Sequence, residues 1–311
     1  MKSLINFALA IRDSLNKPAD YGFIPVQTTG DSIPKVIHQT YHSKTLPSEI
    51  EENINYLKRI NPGWEYRLYD DSDIETYIKR YSPQILHIYQ KINPAYGASR
   101  ADLFRYLLIY NEGGVYLDIK SSISKPLDDI IQSDDIYLLC HWANEFGQMH
   151  HGIGHHRCIS NVHGEFQQWH VIAAKGHPFL KAVIENVCNN ITQYNPFIHD
   201  TGGWATVNAT GPIAYTLAIN SILNLHKYRL VRNNHDYHLV YSIYEQKGLA
   251  LGHHKVLSKH YTALTDSLVK LSPGMQLLFN ITNPLRLLIK DILITLRKHN
   301  SFLIKKNSKS Q

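Results

Sequence analysis

The sequence predicts an α/β protein, with a mainly parallel sheet flanked by helices, on three observations. Strand-like apolar runs alternate with stretches of helical periodicity as far as Asp118. Such alternation is how crossover helices join parallel strands. Hydrophobic residues make up 43% of the chain and charged residues 19%, which supplies a sizeable core and excludes disorder throughout. Finally, Ala98 to Asp118 reads as a buried helix, a glycine stop and a short strand closing on a carboxylate. The carboxyl end of a strand is where an open α/β sheet takes its ligands.

The elements follow in order. Pro34 to Tyr41 is a buried first strand with turn chemistry after it at Ser43 and Pro47. Glu49 to Ile60 is an amphipathic helix, broken by Asn61-Pro62-Gly63 before a second strand from Trp64 to Tyr69. Asp70, Asp71 and Asp73 come next. Such a cluster can suggest a metal site, but Asp71 or Ser72 is also a natural N-cap for a helix from Ile74 to Arg80, and capping is the reading taken. Ala98 to Tyr110 puts Leu103, Phe104, Leu107 and Leu108 on a broad apolar face while carrying Arg100, Asp102 and Arg105. Gly113 and Gly114 end that helix, because glycine accepts a left-handed cap without a Cβ penalty. Val115 to Leu117 is a short strand stopping at Asp118, and the polar run from Lys120 to Ser124 predicts that the chain surfaces there.

The run from Tyr96 to Tyr106, YGASRADLFRY, followed by EGGVYLD from Glu112 to Asp118, resembles the helix and DXD strand of a known family. This is the glycosyltransferase family with a DXD sugar-binding region, which includes Och1-type α-mannosyltransferases, capsular polysaccharide glycosyltransferases and, distantly, the clostridial glucosylating toxins. The likeness is specific from Asn93 to Leu127, with weaker pieces across Ile33 to Tyr261. It implies a GT-A-like, Rossmann-related fold. By the resemblance, Asp102 and Arg105 hold hydroxyls of the donor sugar, with Arg100 beside them, and Asp118 touches the donor's ribose and sugar. The end of the first strand lies under the nucleotide base, so His38, Gln39 and Tyr41 are candidate donor contacts; as a strand histidine, His38 also reads as a satisfied core residue.

The pattern departs at the second acid of DXD, which in the family binds a divalent metal under the diphosphate and here is Lys120. A diphosphate leaving group needs fixed positive charge where it forms. A manganese or magnesium ion held by carboxylates provides that charge, and so does a lysine acting as a point charge. Either Lys120 replaces the metal wholly or partly, or it points to solvent and other residues complete a metal site with Asp118, His254 first among them.

Further along, Ile136 to Cys140 reads as a strand. His141 to His170 then holds seven histidines, Cys158 and the glycines at 147, 152, 154 and 164. Its spacing matches no standard structural zinc pattern, and the glycines suggest a flexible loop, a lid or acceptor-recognition segment. Gln168 to Ala174 is a further strand, and Gly176-His177-Pro178 turns into a helix from Phe179 to Ile191. Asn208 to Pro212 resembles the family's Thr-Gly-Pro segment near the donor, with Thr210 and Gly211 as candidate contacts and Pro212 opening a helix from Ile213 to Leu223. A purely structural cap serves the same residues. Tyr237 to Tyr244 alternates weakly as a late strand, and Leu251 to Lys255 resembles the family's closing histidine segment, with His254 as metal ligand or diphosphate contact.

Three domains are expected: an N-terminal helix and linker at 1–30, a GT-A-like catalytic domain at 31–265, and a basic amphipathic tail at 266–311. In the tail, Leu277, Leu278, Ile281, Leu285, Leu288 and Ile292 share helical spacing with Arg286, Lys290, Arg297 and Lys298, and Pro284 breaks the helix or begins its second part. An anionic membrane surface is the partner expected for it. Cys140, Cys158 and Cys188 cannot all pair and point to a reducing compartment, hence a cytoplasmic protein, peripheral at the inner membrane face. The net charge of +6 and pI near 9.0 suit an anionic partner. Nucleic acid is not expected, because no aromatic RNA-binding motif, helix-turn-helix signature or zinc-finger spacing accompanies that charge. The expected function is transfer of a hexose from a nucleotide sugar, a UDP-sugar favoured over GDP-mannose, to a saccharide or glycolipid acceptor. The resemblance implies retention of configuration and a place in surface polysaccharide or glycan biosynthesis. The alternative is a noncatalytic nucleotide-sugar or glycan-binding protein on the same scaffold.

Overall fold

The structure, a computed structural model, describes residues 20–245, 264–288 and 292. The expected N-terminal helix and the Leu251 to Lys255 segment lie outside them. Two compact units result, 1–269 and 270–311.

In the first unit the alternation expected from periodicity is present. β1 (Val36–Thr40), α1 (Ser48–Ile60), β2 (Glu65–Tyr69), α2 (Asp71–Tyr81), α3 (Pro83–Lys91), α4 (Gly97–Glu112) and β3 (Gly114–Leu117) follow in turn. After them come β4 (Ser122–Ile123), α5 (Leu127–Ile130), β5 (Tyr137–His141), β6 (His170–Ala173), α6 (Pro178–Thr192), α7 (Pro196–His199), α8 (Gly202–Ala209), α9 (Pro212–Asn220), β7 (Arg229–Asn233) and β8 (Leu239–Val240). Six strands form one sheet in the order β2-β1-β3-β6-β5-β7. β1 runs parallel to β2 and β3, and β5 parallel to β7, while β6 is antiparallel to both its neighbours. The mainly parallel, helix-flanked sheet is therefore as expected. The reversed β6 places Trp169, just before its start, beside Asp118, just after the end of β3: Asp118 N donates to Trp169 O at 2.8 Å.

α4 explains why the charges of this helix matter. From Leu103 to Tyr110 every side chain is buried, and the helix packs on both α6 and β6. A helix apolar all round belongs in an interior, so Asp102 and Arg105 are carried in with it. Gly113 caps the helix at φ 75 and Gly114 follows at φ 105. A Cβ on Gly114 would lie 2.8 Å from Val36 O, so the close approach of β3 to β1 requires a residue without one.

Several expectations are corrected. Lys120 to Ser122 does not surface. Ser121 and Ser122 are buried, Asn53 Nδ2 donates to Ser121 O at 2.8 Å, and β4 pairs with β8. Hydrogen bonds to backbone and hydroxyl groups satisfy this polar run internally, which composition cannot show. The N-cap of α2 is Asp70, accepting from Ser72 N and Asp73 N in a capping box with Asp73, rather than Asp71 or Ser72. The late strand shrinks to Leu239–Val240, and β7, whose residues are mostly half-buried, carries too weak an alternation to be read. In the second unit residues 273–288 are helical without interruption at Pro284, and Leu277, Leu278, Ile281, Leu285 and Leu288 are exposed.

His38, His141, His170 and His177 are buried, and their desolvation opposes protonation. Burial pushes His38, His141 and His177 down to about 4 and His170 down to about 3. His38 is held in its neutral form, with Nδ1 3.1 Å from Tyr69 Oη and Nε2 3.2 Å from Gly113 O. These groups bind protons in the unfolded chain below about pH 6.5 but not in the fold. Their penalty is therefore absent above pH 6.5 and grows as pH falls towards 4. The unfolding free energy from urea titrations is expected to fall steeply across that window; a curve that is flat between pH 6.5 and 4.5 would contradict it.

Candidate active site

A cavity of about 750 Å³ opens at the carboxyl ends of β1, β2 and β3. Tyr41, Asp71 and Asp118, each just beyond one of those strands, line it together with Arg100, Asp102 and Arg105 of α4, Lys120, Trp169 and Gly211. Its position at the carboxyl edge of a parallel sheet is the ligand geometry of this architecture.

At its centre stand two buried cations and two carboxylates. Arg105 Nη2 lies 3.1 Å from Asp102 Oδ1, Arg105 Nη1 3.1 Å from Asp118 Oδ1, and Lys120 Nζ 2.7 Å from Asp118 Oδ2. The one-turn spacing of Asp102 and Arg105 on α4 makes the first pair, while the strand end brings Asp118 to the same guanidinium. Arg105 Nη1 also donates to Gln168 O at 2.7 Å and Gln168 Oε1 at 3.0 Å, and its guanidinium stacks 4.6 Å from the Tyr116 ring centroid. Such a fork is rigid and fully used. Thr210 Oγ1 donates to Asp102 Oδ2 at 2.8 Å. Burial pushes the Asp102 carboxyl up, opposed by the Arg105 charge and the Thr210 hydroxyl.

The structure thus brings Asp102, Arg105, Asp118, Lys120 and Thr210 into one network, and sets Tyr41, Arg100 and Gly211 in the cavity wall. Arg100 is already engaged, donating to Glu75 Oε1 at 2.8 Å and lying 4.5 Å over the Tyr89 ring. His38 and Gln39 do not line the cavity. Both are fully buried beneath it, and Gln39 Nε2 donates to Asp118 O at 3.1 Å while its Oε1 accepts from Tyr66 Oη at 2.7 Å. Gln39 thus braces the end of β3 at Asp118, while His38 bonds Tyr69 and Gly113. His254 lies outside the described residues.

Sequence reasoning missed Gln168, Trp169 and Tyr241. Lys120 Nζ sits 4.5 Å over the Tyr241 ring, a cation–π contact that helps hold the lysine inside. Trp169 Nε1 is buried in the cavity wall with no hydrogen-bond partner among the described residues. A buried orphan donor is costly. No signal in the sequence singled these out, since Gln168 and Trp169 reach the site only through the reversal of β6.

A divalent metal does not fit the described residues. Both Asp118 carboxylate oxygens already face cations, and no group of three or more His, Cys, Asp or Glu side chains among the described residues is placed to hold an ion. An ion on Asp118 would lie within reach of the Lys120 ammonium, with a repulsion on the order of 10 kcal/mol at an effective dielectric of ~20.

Fold and site define a mixed α/β protein with a charged cavity at the carboxyl edge of its sheet. Residues 47–137 match the family model described as "Glycosyltransferase sugar-binding region containing DXD motif", so the resemblance carried by Tyr96 to Asp118 is borne out. Inositol phosphoceramide mannosyltransferase 3 of Schizosaccharomyces pombe is 28% identical over 183 residues, 58% of this chain and 43% of that protein. Mannosyl phosphorylinositol ceramide synthase SUR1 of Saccharomyces cerevisiae is 32% identical over 99 residues, 32% of this chain and 25% of that one. The initiation-specific alpha-1,6-mannosyltransferase of Candida albicans is 24% identical over 221 residues, 61% of this chain and 53% of that protein. The matches thus span about half or less of these relatives' lengths. Among solved structures, the PaToxG glycosyltransferase aligns with a TM-score of 0.46 and 14% identity, covering 91% of this chain and 95% of that one; at that level the likeness carries no assignment.

Proposed function

We propose that the protein is a glycosyltransferase that moves a hexose from a nucleotide sugar to a saccharide or glycolipid acceptor. The observation that carries this reading is the Asp102–Arg105–Asp118–Lys120 cluster on the floor of the carboxyl-edge cavity. The carboxylates suit sugar and ribose hydroxyls, and the lysine supplies positive charge for a leaving diphosphate without a metal. Positioning and charge stabilisation are then the protein's main contribution. Mannose is the sugar placed first, because the relatives above are named for mannosyl transfer; the UDP preference expected from the sequence has no support among them. Retention of configuration remains part of the proposal through the family resemblance alone.

Hydrolysis of a panel of UDP- and GDP-hexoses by the purified chain, with manganese or with excess chelator, tests this directly. Turnover of one donor that survives chelation is expected. Lys120→Asp, which restores the second acid, is expected to lower turnover in chelator by about 10²-fold and to recover part of it with manganese. A wild-type activity that vanishes in chelator would return the metal to the site. Donor-induced thermal stabilisation without any turnover, with acceptors supplied, would favour the noncatalytic alternative.

A further inference from the structure

The cavity has a second polar cluster that the donor-side reading does not use. Glu165 is buried at 4% exposure, yet it lines the cavity with His156. Its Oε1 accepts from Trp142 Nε1 at 2.8 Å, and its Oε2 lies 2.6 Å from His156 Nε2. A carboxylate only accepts, so His156 Nε2 carries a proton, and Nδ1 is the ring nitrogen left for a ligand. The ring of His156 lies 6.0 Å from that of Trp204, which is 51% exposed on α8. An indole so exposed is unusual for a residue that mostly buries its ring.

The histidine-rich segment that presents this cluster is built rather than loose. Gly147, Gly152, Gly154 and Gly164 all have positive φ, so the glycines serve left-handed turns. A Cβ on Gly154 would lie 2.8 Å from Trp142 Cδ1 and 3.0 Å from Glu165 Cγ. Asn144 Nδ2 ties the loop across, donating to Ile153 O at 2.7 Å and His163 O at 3.1 Å. The chain fixes a carboxylate and an imidazole in the cavity wall, with an exposed indole ring beside the imidazole.

The geometry points to Glu165, His156 and Trp204 as the acceptor-binding subsite, taking a saccharide. This rests on the glycosyltransferase reading above. His156 Nδ1 hydrogen-bonds a sugar hydroxyl, Glu165 fixes the orientation of the imidazole through Nε2, and Trp204 covers the apolar C–H face of the ring. Glu165 is a positioning residue; His156 and Trp204 touch the acceptor.

The test measures, with the donor the wild type turns over, the ratio of transfer onto a saccharide to hydrolysis by water. Methyl α-mannoside, methyl α-glucoside, methyl β-galactoside and myo-inositol serve as probes, with products resolved by mass spectrometry. His156→Gln is expected to lower that ratio by about 10²-fold, and Trp204→Ala to raise the probe's KM by about tenfold. Because Trp204 is half exposed, its truncation reports on binding even where Glu165→Gln disturbs the fold. Transfer and hydrolysis that fall together, leaving the ratio unchanged, would overturn the assignment, as would a wild type that hydrolyses donor but neither binds nor glycosylates any probe. Absence of both donor turnover and donor binding would instead sink the glycosyltransferase reading itself.

Discussion

Asp118→Asn is expected to cut donor turnover by about 10²–10³-fold while leaving the protein folded. Asp118 holds both cations of the cluster, Arg105 through Oδ1 and Lys120 through Oδ2. The amide keeps the shape but not the charge, so Lys120 loses its anchor, and on the function proposed above the donor loses a carboxylate acceptor. Arg105 retains Asp102 and Gln168, which preserves the core around α4. Initial-rate assays beside far-UV circular dichroism separate the two effects. A folded variant with near wild-type turnover would remove Asp118 from the mechanism.

Arg105→Met should act on stability instead, and strongly. The side chain of Arg105 is 4% exposed and that of Asp102 3%, and the guanidinium is the cation that the two carboxylates share. Removing one partner of a buried ion pair leaves the other uncompensated, at a cost of about 3–5 kcal/mol. Asp102→Asn in the Arg105→Met background should recover part of that loss, since it removes the stranded charge; coupling of about 1–3 kcal/mol is the expected size for groups in direct contact. Urea unfolding of the four proteins in this cycle measures it. Additive losses would mean that Asp102 is held by Thr210 and its surroundings, and that the Arg105 pair is incidental to the fold.

Apart from α3, which went unread, the order of elements up to β3 was legible because each is announced locally. The apolar face of α4, the glycines that end it and the break at Asn61-Pro62-Gly63 all act within a few residues of themselves. The same holds for the segment from Tyr96 to Asp118, whose spacing on one helix and one strand end is a local property. Less was legible beyond Asp118. The serines at 121 and 122 look solvated, yet their partners are Asn53, Tyr241 and the β8 strand. The glycines of the histidine-rich segment look like flexibility, and they are instead left-handed turns packed on Trp142 and Glu165.

By itself, then, the sequence determined the fold class, the buried charged helix and the carboxylate at the end of β3, because periodicity, capping and turn chemistry are short-range. Only the tertiary structure decided that both oxygens of Asp118 are engaged by Arg105 and Lys120, that His38 and Gln39 lie beneath the cavity, and that Glu165 and His156 face into it. Those outcomes depend on the reversed β6 and on loops pairing across long stretches of chain. Contacts of that kind are chosen by the burial and hydrogen-bond satisfaction of the whole core, which no local pattern records.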